Sequence, residues 1–190
     1  PLARLTQANR ACAQAYPGDR ADRQPVHTVY GGAHLFAADV AAKLGAAALR
    51  ALEEHAPDPP TLARAIGLAG PEALARAVHA RVVEKLKREP VEDYRIDFED
   101  GYGNRPDAEE DAHAVADAEA TARGMKAGTL PPFLGIRIKP LSEELRGRAL
   151  RTLDLFVGAL VRSTGGALPA QFVVTLPKIT SPEQVTAAVE

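Results

Sequence analysis

Short apolar segments alternate along this chain with longer helical segments, and this alternation is the feature that most restricts the fold. Bulky apolar residues at every second position predict four strands, near residues 26–31, 94–99, 133–139 and 172–176. Apolar residues at three- and four-residue spacing predict helices at 38–55, 61–67, 71–90, 107–126, 142–163 and from Pro182 onward. Strands separated by helices in this order predict βα units and a parallel sheet.

The composition excludes several classes of protein. The 190 residues include 46% hydrophobic and 25% charged residues, which is enough for one full core. The net charge of −2 produces no field that favours nucleic acid or an anionic membrane, so neither is expected as a partner. No apolar run approaches the length of a membrane span, and no signal-peptide pattern opens the sequence. Its one cysteine, Cys12, excludes an internal disulfide and fits a reducing cytoplasm, so we expect a cytoplasmic protein.

The two ends of the sequence suggest how the chain is organised. It begins at Pro1 rather than Met and stops at Glu190 inside a predicted helix, so we expect it to be part of a longer protein. We interpret residues 1–25 as an N-terminal helical or irregular segment and residues 26–190 as the start of an α/β domain. The helical stretch between the first two strands is longer than one crossover needs. We therefore interpret residues 57–90 as an inserted helical hairpin.

The segment Asp93–Gly103 carries the strongest functional signal. Apolar and charged residues alternate there, with Tyr94, Ile96 and Phe98 on one face and Arg95, Asp97 and Glu99 on the other. Asp100 and a Gly-x-Gly turn follow. Acids this close together are costly to desolvate unless a metal, a basic group or water neutralises them. The alternative is a strand end whose acids are solvated or cap the next helix.

Polar or glycine-rich sequence follows every predicted strand, which is where parallel α/β folds place their chemistry. The four strand ends are Gly31-Gly32-Ala33-His34, Glu99-Asp100-Gly101, Arg137-Ile138-Lys139 and Pro177-Lys178. Arg137 lies between isoleucines inside a strand, so it needs a carboxylate partner or an anionic ligand. A salt bridge to Asp97 or Glu99 would satisfy it structurally. Both interpretations can hold, because acids that orient an arginine also support its binding of a ligand.

Three weaker patterns have simpler explanations. The run from Gly101 to Arg105 lacks the full phosphate-binding pattern and is better read as a plain turn. His27 and His34 have no partner at metal-ligand spacing. Residues 61–83 have a helix-turn-helix-like pattern, but the acidic charge balance and the strand-rich remainder favour an amphipathic insertion over a DNA reader.

Four strand-end segments together resemble a known superfamily. They are Val29-Tyr30-Gly31-Gly32, Asp97-Phe98-Glu99-Asp100, Gly135-Ile136-Arg137-Ile138 and Leu176-Pro177-Lys178-Ile179. In this order they resemble the citrate lyase β-subunit-like branch of the HpcH/HpaI aldolase superfamily, which has phosphoenolpyruvate/pyruvate-binding TIM barrels. The resemblance covers roughly residues 26–190. It implies the N-terminal half of a (β/α)8 TIM barrel, with further strands beyond Glu190. The Gly31-Gly32 pair, where the family has a proline-bearing loop, and the 57–90 insertion depart from that pattern.

The resemblance also implies an activity. It implies a Mg²⁺-dependent carbon–carbon lyase or aldolase-type enzyme that acts on 2-oxo acids or acyl-CoA thioesters. The catalytic candidates are Arg137, which would bind a substrate carboxylate, Glu99 and Asp100 near the metal, and Lys178 at the rim of the site. Gly31, Gly32 and Asp97 are further substrate-binding candidates.

The remaining expectations concern the metal, assembly and catalytic competence. The resemblance places the direct Mg²⁺ ligands beyond Glu190, so no metal ligand is expected within this chain and the stretch alone is expected to be inactive. A homo-oligomer is expected. The alternative is a non-catalytic TIM-barrel homologue that binds an anionic metabolite or serves as a subunit scaffold.

Overall fold

The computed structural model describes residues 1–19 and 21–190, and it shows an α/β fold with one four-stranded sheet. The strands are β1 (Thr28–Gly32), β2 (Asp93–Asp97), β3 (Phe133–Arg137) and β4 (Phe172–Thr175). All neighbouring strands are parallel, and their order in the sheet is β1-β2-β3-β4. The predicted parallel sheet is therefore confirmed, and each strand lies beside the one that precedes it in the chain.

Helices occupy most of the remaining sequence. They are α1 (Leu2–Ala15), α2 (Val40–His55), α3 (Pro59–Ala65), α4 (Glu72–Arg88), α5 (Asp107–Ala127), α6 (Arg146–Thr164) and α7 (Pro182–Val189). Helices α5 and α6 end at Gly128 and Gly165, whose φ angles of 66° and 69° lie in the left-handed region that glycine adopts without strain. In the described ranges, 1–19 and 21–190, no helix combines the length and apolarity needed to cross a bilayer.

The core lies between one face of the sheet and the packed pair of helices α5 and α6. Its large apolar side chains are fully buried, among them Ile96, Phe98, Leu134, Ile136, Phe156 and Leu160. The rings of Phe98 and Phe172 flank Phe156, with centroid separations of 6.4 and 6.0 Å. Each such side chain contributes about 1.5–3 kcal/mol when fully buried. This burial fixes which face of every strand meets the helices and turns the alternate residues to the opposite face.

The register of the strands places the alternate residues in rows. The strand-end row contains Gly32, Asp97, Arg137 and Thr175. The second row, one pair of residues earlier in each strand, contains Tyr30, Arg95, Gly135 and Val173. Because side chains alternate along a strand, both rows lie on the face that α5 and α6 do not cover. The charged residues of β2 and β3 are therefore neighbours.

All four strands stop short of the predicted range at one end, and in β2 and β1 a side chain accounts for the difference. Strand β2 ends at Asp97 rather than Glu99, because the Asp97 carboxylate accepts hydrogen bonds from the N–H groups of Glu99 and Gly101 at 2.9 and 2.7 Å. Strand β1 begins at Thr28 rather than Val26, because the Val26 N–H donates to a carboxylate oxygen of Glu92 at 2.6 Å. In both cases a side chain takes a backbone group that a neighbouring strand would otherwise bind.

Candidate functional site

The centre of the candidate site is a side-on ion pair between two members of the strand-end row. Arg137 donates from Nε to Asp97 Oδ1 at 2.8 Å and from Nη2 to Asp97 Oδ2 at 2.6 Å. The Asp97 side chain is 1% exposed and that of Arg137 is 19% exposed. Two parallel, charge-assisted hydrogen bonds fix the plane of the guanidinium as well as its position.

The surroundings of this pair keep both groups ionised. Burial by itself raises the pKa of Asp97, but hydrogen bonds from Arg137 and from the N–H groups of Glu99 and Gly101 outweigh it and hold that pKa below its ordinary value. The hydrogen bond to Asp97 in turn raises the pKa of Arg137. The pair is therefore a permanent feature of the site at neutral pH.

Glu99, Asp100 and Lys178 extend the pair into one charged cluster. Glu99 Oε2 lies 3.3 Å from Arg137 Nε, and Arg137 Nη2 lies 3.9 Å from Asp100 Oδ2. Lys178 Nζ lies 2.5 Å from Glu99 Oε1 and 3.0 Å from Asp100 Oδ1. The predicted grouping of Asp97, Glu99 and Arg137 is thus present, and the ends of β2, β3 and β4 all contribute to it.

Lys178 is held in an unusual conformation. Its φ angle of 54° is left-handed, which makes it the one non-glycine residue with a positive φ in the described part of the chain. Such a conformation costs on the order of 1–3 kcal/mol and tends to occur where a side chain must be aimed at a site. Hydrogen bonds to Glu99 and Asp100 raise the pKa of Lys178, so its ammonium group stays protonated at neutral pH.

A cavity of about 300 Å³ opens beside this cluster at the carboxyl ends of the strands. Its walls are Glu99, Asp100, Gly103, Asn104, Lys139, Pro140, Leu145 and Lys178. A larger cavity of about 610 Å³ lies between α2, the end of α4 and the segment 128–132. Its walls are mainly apolar and include residues that precede β2 and β3, so it lies toward the amino ends of the strands. The smaller cavity is part of the candidate site because Glu99, Asp100 and Lys178 of the charged cluster line it, with the Asp97–Arg137 pair beside it rather than in its wall.

Lys139 has a structural set of partners although it also borders the cavity. Its ammonium group donates to Glu110 Oε2 and to the carbonyl oxygen of Phe98, both at 2.7 Å, and the side chain is 7% exposed. The other oxygen of Glu110 accepts a hydrogen bond from Thr152 at 2.6 Å. This buried network ties the end of β3 to α5 and α6, and it supports the floor of the cavity.

Comparison with known proteins places the chain in a family without assigning it a reaction. A family model described as a domain of unknown function, DUF6986, matches residues 5–190. The chain belongs to the DUF6986 family. No curated protein and no solved structure matches it. The matched residues of this DUF6986 chain include all four strands and the whole charged cluster.

The two glycines at the end of β1 lie so close to neighbouring atoms that neither position has room for a side chain. A Cβ on Gly31 would lie 1.8 Å from the hydroxyl oxygen of Tyr94, on the helix-covered side of the sheet. A Cβ on Gly32 would lie 2.2 Å from the carbonyl oxygen of Gly101. Gly32 therefore lets the loop after β2 cross the strand-end row, close to Asp97, whereas Gly31 makes room for a core side chain.

Tyr30 also lies in the candidate site, although the sequence pattern did not mark it as a site residue. The guanidinium carbon of Arg137 lies over the Tyr30 ring, 4.5 Å from its centroid. Period two does put Tyr30 and Gly32 on one face of β1. The missing information is the strand register, which brings a residue of β1 to a residue of β3 across the strand between them.

The acids of the cluster do not form a ready-made metal site. Across residues 1–19 and 21–190, no three or more His, Cys, Asp or Glu side chains are grouped so that they could hold a metal ion. The acids of the cluster are instead in contact with Arg137 and Lys178.

Proposed function

We propose that this chain carries the carboxylate-binding part of an active site that makes or breaks a carbon–carbon bond next to a carbonyl. The enzyme would be a Mg²⁺-dependent lyase of aldolase type, acting on 2-oxo acids or acyl-CoA thioesters. The proposal rests on the hydrogen bonds of Arg137, which leave part of its guanidinium group free. Asp97 occupies its Nε–Nη2 edge, while Nη1 donates no hydrogen bond to the described residues. The end-on fork of Nη1 and Nη2 is left for the carboxylate of a substrate.

The arrangement of the sheet supports a barrel around this arginine. Four parallel strands follow one another in chain order, with helices on one face and charged residues on the other. A (β/α)8 barrel has this order in each half, and its active site lies at the carboxyl ends of the strands. On this proposal, residues 26–190 form the N-terminal half of the barrel, residues 57–90 are an insertion, and further strands would enclose the charged face.

The charge of the cluster fits a metal-assisted reaction. The acids Asp97, Glu99 and Asp100 carry three negative charges and the two cations carry two positive ones, which leaves one net negative charge. Glu99 and Asp100 present carboxylate oxygens, the ligands that Mg²⁺ prefers, but Lys178 lies between them. They would therefore support a hydrated ion through water rather than bind it directly. Mg²⁺, when bound, would supply Lewis acidity toward the substrate carbonyl.

The residues of the chain would divide the remaining tasks. Arg137 would bind and orient the substrate carboxylate, and Asp97 would hold the guanidinium in plane. Lys178 would present a fixed positive charge at the rim of the cavity, where negative charge develops on an enolate. Its raised pKa keeps the ammonium group charged and therefore unsuited to forming an imine with the substrate.

One observation favours a second candidate function, that of a non-catalytic homologue. Every cation at the strand ends has an acidic partner, namely Asp97 for Arg137, Glu110 for Lys139, and Glu99 with Asp100 for Lys178. Such a cluster is stable without a ligand. It would suit a protein that binds an anionic metabolite weakly or serves as a subunit scaffold.

Retro-aldol assays of the full-length protein on a panel of 2-oxo acids and acyl-CoA esters test the proposal. We expect activity that requires Mg²⁺ and that falls strongly in Arg137→Lys, which keeps the charge but loses the fork. Arg146→Lys is the matched control, because Arg146 is exposed on α6 and, among the described residues, pairs only with the exposed Glu143. Full activity of Arg137→Lys, or activity in a chelator, would contradict the mechanism. Anion binding without turnover would favour the second candidate.

A further inference from the structure

Tyr30 is an exposed aromatic residue whose ring touches a charged group of the site. The residue is 46% exposed although it lies within β1, in the second row of the uncovered face. Its ring reaches past β2 to the guanidinium of Arg137 on β3, at 4.5 Å from ring centroid to Cζ. An arginine over the face of an aromatic ring is attracted by the negative charge of that face.

Glycines leave the space that this contact needs. Gly32, the next residue of β1 on the same face, has no side chain to compete with the ring. Gly135 lies in the second row beside Arg95, and a Cβ there would meet Arg95 Nη1 at 2.5 Å. Arg95 Nη1 can therefore lie close over Gly135 of β3, while Arg95 Nη2 pairs with Asp93 of β2 at 2.7 Å. The ring of Tyr30 is then free to meet Arg137.

We infer that Tyr30 is a positioning residue for Arg137 and selects flat carboxylates, an inference that rests on the proposed function. Asp97 fixes one edge of the guanidinium, and the guanidinium carbon lies over the Tyr30 ring. In the inferred arrangement the guanidinium stacks flat on the ring, so a carboxylate that pairs with the free fork lies in the guanidinium plane and alongside the ring.

The ring gives the site a preference between anions. A conjugated acid such as oxalate or pyruvate can stay flat and keep its oxygens in the plane of the guanidinium. A tetrahedral anion such as phosphate must direct an oxygen out of that plane, on either side. The face of an aromatic ring repels negative charge, so Tyr30 disfavours the tetrahedral anion.

The first experiment tests the positioning without any ligand. The Arg137 Nε–Hε signal is assigned by NMR in the full-length protein by its loss in Arg137→Lys. We expect Tyr30→Phe to keep its ring-current shift and Tyr30→Leu to lose it. Tyr16→Leu is the control, because Tyr16 is 79% exposed at the end of α1 and lies outside the site. An unchanged signal in Tyr30→Leu would overturn the inference.

The second experiment measures the binding of oxalate, pyruvate and phosphate by calorimetry, with and without Mg²⁺. We expect Tyr30→Leu to weaken oxalate and pyruvate binding roughly 3- to 30-fold, the range of a cation–π contact, and to leave phosphate binding unchanged or stronger. Tyr30→Phe should bind all three anions like the unaltered protein. In an Arg137→Lys background the effect of Tyr30→Leu should shrink, because the two residues act as one unit.

The two experiments separate the possible failures. If the unaltered protein binds none of the anions but Tyr30→Leu changes the Arg137 signal, the proposed function is wrong and the positioning contact stands. If the anions bind and Tyr30→Leu binds them with unchanged affinity and selectivity, the inference about Tyr30 is wrong while the proposed function survives.

Discussion

The pairing of Asp97 with Arg137 uses one edge of the guanidinium and leaves another edge open. Asp97 is almost fully buried and accepts hydrogen bonds from Arg137 and from two N–H groups, so it depends on those donors to remain charged. Arg137 needs only one of its edges for this task. The structural and the functional interpretations of the arginine are therefore compatible.

Replacing Arg137 with alanine should be strongly destabilising. The change leaves the buried carboxylate of Asp97 without its cation, which costs about 3–5 kcal/mol in comparable pairs. Urea denaturation at pH 7 measures the free energy of unfolding. Arg146→Ala is the matched control, and its exposed pair with Glu143 should be worth less than about 1 kcal/mol. If both variants lost the same free energy of unfolding, the Asp97 carboxylate would not depend on Arg137 for its stability in the folded chain.

Asp117 should make stability depend on pH in the opposite sense to Asp97. Burial raises the pKa of Asp117 to about 8, the residue is 4% exposed, and its Oδ2 has no hydrogen-bond partner among the described residues. The folded chain therefore binds a proton that the unfolded chain has lost above a pH of about 4. The stabilisation of the folded chain that comes from this bound proton is fully present below that pH and declines as the pH rises toward 8.

The difference between the unaltered protein and Asp117→Asn isolates this effect. Unfolding free energies measured from pH 4 to pH 9 should show the unaltered protein losing stability relative to the variant, on the order of a few kcal/mol, and levelling off above the folded pKa. For Asp97, whose pKa is lowered, the loss should instead appear in acid below pH 4. A constant difference across the range would mean that Asp117 is charged in the folded state.

At the scale of elements, the sequence predicts the kind and order of the strands and helices but not their register. Apolar residues at every second position identify β2 and β3, and glycines mark the ends of α5 and α6. The alternating pattern predicts that β2 continues beyond its observed end at Asp97. The pattern does not show that the Asp97 carboxylate accepts hydrogen bonds from the backbone N–H groups that follow it. Charge alternation predicts that Arg137 has an acidic partner. The alignment of β1, β2 and β3 decides which acid lies opposite Arg137. It also decides whether Tyr30 reaches Arg137.

Gly135 should tolerate no side chain, since β3 and β4 meet there. A Cβ would lie 2.2 Å from the carbonyl oxygen of Val173 and 2.5 Å from Arg95 Nη1. Gly135→Ala should therefore cost about 1–3 kcal/mol through overpacking. Gly147→Ala, on α6, is the control because nothing lies within 4 Å of its Cβ position, and it should be neutral or stabilising. Thermal unfolding compares the two, and a neutral Gly135→Ala would place the strands farther apart.

At the scale of the whole molecule, the two faces of the sheet differ in kind. One packs apolar side chains against α5 and α6, and the other gathers ion pairs toward the carboxyl ends of the strands. The larger of the two cavities described above lies toward the amino ends of the strands and is mainly apolar, so size alone would direct attention to the edge of the sheet opposite the charged cluster. The position of the charges, with Lys178 in a left-handed conformation among them, is the reason for placing the candidate site at the carboxyl ends of the strands.

The most direct test is a crystal structure of the full-length protein with Mg²⁺ and pyruvate or oxaloacetate. We predict a ligand carboxylate at about 2.7–2.9 Å from Nη1 and Nη2 of Arg137, the spacing of charge-assisted hydrogen bonds. Asp97 should keep the other edge of the guanidinium, and Tyr30 should lie beneath it. A ligand bound in the apolar cavity near α2, or bound at the strand ends without contact to Arg137, would contradict the account.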